Sequence, residues 1–63
     1  MLPYQKRVVD EETELNDRLN KLRAFIGGPD YLRLDTNERG LLHEQLAHMK
    51  GYSEVLARRI KAF

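Results

Sequence analysis

Residues 25–38 read FIGGPDYLRLDTNE, and this is the one stretch where the helical character of the chain breaks. Gly27 and Gly28 can take the left-handed conformation that ends a helix, and Pro29 stops the helix from continuing. Asp35, with Glu38 three residues later, has the spacing of a capping box that opens a second helix. On either side the apolar residues recur at helical intervals. Before the break the stripe is Val8, Leu15, Leu19, Leu22 and Ile26; after it, Leu42, Leu46, Met49, Leu56, Ile60 and Phe63. The spacing predicts helices over 3–26 and 36–62, joined by a turn over 27–35. Pro3 is well placed in a first turn. At 1.5 Å per residue both helices are roughly 35–40 Å long. Matched helices on a short link imply an all-α fold, an antiparallel two-helix hairpin forming one domain over 1–63.

A chain of 63 residues is marginal as a lone monomer, because small domains bury only about 60% of their unfolded surface. It has no cysteine, which excludes disulfide staples and thiolate metal sites. Oligomerisation is the remaining compensation. The second helix carries the surface for it. Leu41, His48, Tyr52 and Val55 form a second stripe beside the seam, and Gly40, Ala47 and Gly51 fall in line on the far side. Glycine inside a helix costs about 1 kcal/mol against alanine. Close approach by a second copy accounts for that line better than tolerated surface glycines do, and a self-associating helical bundle is expected.

Charged residues make up 33% of the chain, yet the formal net charge is +1. Blanket attraction to nucleic acid or membrane is not expected from such a balance. No apolar run approaches the ~20 residues of a membrane span, and MLPYQKR lacks the apolar core of a secretory signal. The expected location is a reducing cytoplasm.

The near-neutral total conceals a polarised molecule. The segment SEVLARRIKAF, residues 53–63, ends with Arg58, Arg59 and Lys61 and no acid after Glu54. In an antiparallel hairpin these meet Lys6, Arg7 and the start of the first helix, with Tyr4 and Tyr52 in the same half. Asp10, Glu11, Glu12, Glu14 and Asp17 follow as an acidic waist. Helix-end electrostatics and i,i+4 pairs (Arg7–Glu11, Glu14–Arg18, Asp17–Lys21) account for single charges. They account less well for five cations converging with two tyrosines. Arginine offers a planar fork to phosphate oxygens, and tyrosine a face on which a base stacks. A small phosphate-bearing ligand fits this combination better than duplex nucleic acid, which the acidic waist repels.

Other candidate sites fail on spacing. HEQLAH, residues 43–48, sets His43 and His48 five apart, about 140° from each other around a helix, so they do not form a zinc pair. Ser53 falls at a seam position and is expected to donate to its own helix backbone. Gln5 and Glu12, also on the seam, are candidates for setting register or for accepting bonds from the basic cluster. GGPD lacks the lysine and hydroxyl residue of a phosphate-binding loop. With no catalytic constellation, no enzyme activity, metal or cofactor is expected.

The segments YQKRVVDEETEL (4–15), KLRAFI (21–26), LDTNERGLLHEQLAHM (34–49) and YSEVLARRI (52–60) resemble the helical-hairpin family of bacteriophage anti-defence proteins. That family includes anti-CBASS sponges, and a similar hairpin occurs in an anti-Thoeris sponge. The resemblance implies a non-catalytic phage protein in the cytoplasm of an infected bacterium, one that oligomerises and sequesters cyclic di- or trinucleotides. It further implies Tyr4 as a base-stacking group and Arg7 and Lys21 as phosphate partners on the first helix. On the second helix it points to Tyr52, Arg58 and Arg59. The competing expectation is a hairpin that docks on a host or phage protein through the stripe containing Leu41 and Val55.

Overall fold

The chain enters its first helix through an extended Leu2 (φ −72°, ψ 153°) and the pre-set φ of Pro3. The Leu2 backbone N–H donates to Gln5 Oε1 at 2.8 Å, so this seam-position glutamine closes the helix start. The computed structural model describes residues 1–63, with α1 over Pro3–Ile26, a 3-10 turn over Asp30–Arg33 and α2 over Thr36–Lys61. The helices pack antiparallel into a rod measuring 45 × 15 × 13 Å. There is no strand.

The end of α1 departs from the left-handed glycine stop. Gly27 is right-handed (φ −84°, ψ −1°), and no glycine has a positive φ. Its N–H donates to Arg23 O at 3.1 Å, and the Gly28 N–H to Phe25 O at 3.0 Å. These tightened bonds satisfy the last carbonyls without a change of hand. Pro29, which has no N–H, then leads directly into the 3-10 turn. Position 28 is tighter than position 27. A Cβ built at 28 would lie 3.3 Å from Ala24 O and 3.4 Å from Phe25 O.

Asp35 caps α2, its Oδ1 accepting from the Glu38 N–H at 2.8 Å, while the reciprocal Glu38 side-chain bond of a full capping box is not formed. The turn before it is pinned by contacts that periodicity does not reveal. Tyr31 Oη shares a hydrogen bond with His43 Nε2 at 2.7 Å, and the Arg39 guanidinium lies 5.4 Å from the centre of the Tyr31 ring. Arg39 Nη2 also donates to Leu32 O.

Burial follows the two seams. The buried residues are Val8, Leu15, Leu19 and Leu56, with Met49 and Ile60 packed against the cluster. Leu56 is 1% exposed, and such burial contributes about 1.5–3 kcal/mol. Polar residues interrupt the seam at one level. Ser53 Oγ does not return to its own backbone; it donates across the interface to Asn16 Oδ1 at 2.6 Å. The Asn16 amide donates in turn to Glu12 Oε1 at 2.6 Å. At this level the facing residue on α1 offers an acceptor to the serine hydroxyl, and a bond between helices is available.

The hairpin leaves much of itself uncovered. Its accessible surface is 4850 Å², against roughly 4,200 Å² for a compact monomer of this mass. Leu41, Tyr52 and Val55 are among the large apolar side chains left exposed.

Candidate functional site

The two chain ends meet through an aromatic contact. Tyr4 and Phe63 stand edge to face, with ring centroids 5.9 Å apart at 78°. This pairs the first turn of α1 with the end of α2 and brings Tyr4, Lys6 and Arg7 to the pole that carries Arg58, Arg59 and Lys61. Lys6 is held by Asp10 at 3.2 Å, whereas Arg7, Arg58, Arg59 and Lys61 form no ion pair. Of the three i,i+4 pairs expected along α1, Asp17–Lys21 forms at 3.0 Å; Arg7–Glu11 and Glu14–Arg18 do not. Both unformed pairs have exposed partners, and holding two long side chains in one geometry offsets the weak attraction in water.

The six residues expected to bind ligand do not all converge. Tyr4 is at the pole, with Arg7 one turn along. Arg59 steps about 60° to one flank of the seam residue Leu56, while Arg58 steps about 160° and faces away from the partner helix. Tyr52 lies on the same flank as Arg59, roughly 17 Å from the end of the rod, in line with Leu41 and Val55. Lys21 is roughly 25 Å along α1 from Tyr4 and is engaged by Asp17. Tyr4, Arg7 and Arg59 therefore lie toward the pole, and Tyr52 belongs to the apolar stripe that approaches it.

On the opposite flank, near the middle of the rod, lies a groove of about 300 Å³. Leu19 is its apolar floor. Asn16, Asn20 and Arg23 line it from α1, and Lys50, Ser53 and Glu54 from α2. None of the six expected ligand residues lines it. Its signal in the sequence is spacing alone: polar residues at i, i+4 and i+7 on α1, facing i, i+3 and i+4 on α2, with serine as the small residue on the seam.

No cluster of three or more histidine and acidic side chains is arranged to hold a metal ion. His43 is engaged by Tyr31, and His48 lies 3.7 Å from Glu44. No helix is long and apolar enough to cross a membrane.

Together these features define a class: a short helical hairpin with a thin core, a basic pole, an exposed apolar stripe and a polar groove. The chain belongs to the Sequestin family, whose family model matches residues 2–62. It is 38% identical over 63 residues to a 7.5 kDa protein of the denB-rIIB intergenic region of Enterobacteria phage T4, an alignment covering 100% of this chain and 98% of the relative. No solved structure matches the chain.

Proposed function

We propose that the chain is a phage anti-defence protein that binds cyclic oligonucleotide immune signals in the host cytoplasm and holds them without cleaving them. Membership of a family named for sequestration and likeness to a phage protein support the broad reading. The observation that supports the finer one is the Tyr4–Phe63 contact, which joins the start of α1 to the end of α2, the two segments that carry Arg7 and Arg59. Arginine supplies the fork for phosphate oxygens, and Tyr4 and Tyr52 supply stacking surfaces. A hairpin this narrow encloses little at its tip, so the pocket is completed by a second copy seated on the stripe of Leu41, Tyr52 and Val55. No enzyme activity or cofactor is part of this reading.

The test is calorimetric titration with a panel of cyclic di- and trinucleotides, followed by recovery of the ligand from denatured protein. Saturable heat with intact ligand is expected, and Arg59→Ala should weaken binding at least tenfold while the helical signal persists. Heat absent across the panel, or a ligand recovered cleaved, would sink the reading.

The exposure of Leu41 and Val55 favours a second reading, a hairpin that docks on a host or phage protein. In that case Leu41→Glu abolishes partner binding, and cyclic nucleotides have no effect.

A further inference from the structure

The mid-rod groove is the one concave feature of the hairpin, and it lies away from the basic pole. Its charges are not paired with one another. Lys50 and Glu54 are four residues apart on α2 yet form no ion pair, and no carboxylate lies within 4.0 Å of the Arg23 guanidinium. Lysine preceding glutamate is the weaker order for such a pair. Asn16 is already engaged, with its amide nitrogen on Glu12 and its oxygen taken by Ser53. Asn20, by contrast, makes no side-chain hydrogen bond. Four groups are therefore uncommitted around an apolar floor: two cations, one carboxylate and one amide.

We propose that this groove is a binding site for a single guanine nucleotide, separate from whatever the pole binds. Arg23 and Lys50, one from each helix, pair with the phosphate. Glu54 is acceptor-only when ionised, and guanine presents adjacent N1–H and N2–H donors on one edge. Adenine offers an acceptor at N1 and so meets the carboxylate with a repulsive atom. The Asn20 amide, both donor and acceptor, completes the polar rim. A volume of about 300 Å³ is at the lower bound of small-molecule sites, which suits one nucleotide. The groove is on the flank opposite Tyr52 and Val55, so a copy seated on the apolar stripe leaves it open.

The test is amide and side-chain NMR of the full chain titrated separately with GMP, AMP and inorganic phosphate. GMP should produce saturable shifts at Asn20, Lys50 and Glu54, with AMP at least fivefold weaker. Arg23→Ala should weaken GMP at least tenfold, and Glu54→Gln should remove the preference over AMP, both with unchanged helical circular dichroism. The proposal is overturned by no saturable shift in the groove, equal affinity for AMP and GMP, or phosphate alone binding as tightly as GMP. Shifts confined to Tyr4 and Arg7 also overturn it, while leaving the reading of the pole standing.

Discussion

Asn16 and Ser53 form the one side-chain hydrogen bond between α1 and α2. Asn16 accepts from Ser53 on the other helix and donates to Glu12 on its own. Removing it strands two partly buried groups, and each unsatisfied group costs about 1–3 kcal/mol. Asn16→Ala is therefore expected to lower stability by about that amount, read by urea unfolding. The double change Asn16→Leu with Ser53→Ala removes both members of the cross-helix bond and should cost much less. A double-mutant cycle with no coupling between positions 16 and 53 would show the contact to be incidental. At the apolar extreme, Leu56→Ala should cost about 2–5 kcal/mol, enough to unfold much of so small a chain at 37 °C. Position 53 was legible as a seam residue, but its partner was not. A serine hydroxyl bonds equally well to its own helix or across it, and only the residue facing it decides.

Among the elements, the turn and α2 give the sharpest contrasts. Gly27 is right-handed, and a Cβ there would sit 3.7 Å from Arg23 O, an ordinary contact. Gly27→Ala should stabilise the hairpin by about 0.4–1 kcal/mol through the unfolded state. Gly28→Ala should destabilise it relative to Gly27→Ala, because its Cβ would lie 3.3 Å from Ala24 O and that backbone carbonyl must give by a few tenths of an ångström. Paired thermal melts check the difference. Gly40 and Gly51 present a different case, with open space within 4 Å of either Cβ position. Gly51→Ala should raise the helicity of the dissociated chain by about 1 kcal/mol of propensity. It should also weaken self-association, since position 51 lies one turn from Val55 on the uncovered side of α2. Sedimentation beside circular dichroism separates the two effects, and undiminished association would remove these glycines from the interface.

For the whole molecule, the surface surplus of several hundred Å² and a core of few residues describe a hairpin that gains from a partner. Sedimentation is expected to give a mass above that of one chain, and Leu41→Glu together with Val55→Glu to return it to the monomer. A monomer at high concentration in the unmodified protein would overturn this expectation. Much of the architecture was decided locally. The seven- and four-residue steps of Val8, Leu15 and Leu19 select a helix face, and Asp35 fixes where α2 begins; both act within a turn or two of the backbone. The hairpin, its seam and its basic pole were therefore written in the sequence. The pinning of Tyr31 by His43 and Arg39, the Ser53–Asn16 bond and the mid-rod groove were decided only by tertiary structure. Each depends on which residues of one segment face those of another. That choice is made by packing and mutual hydrogen bonding between segments distant in the chain, which no local period encodes.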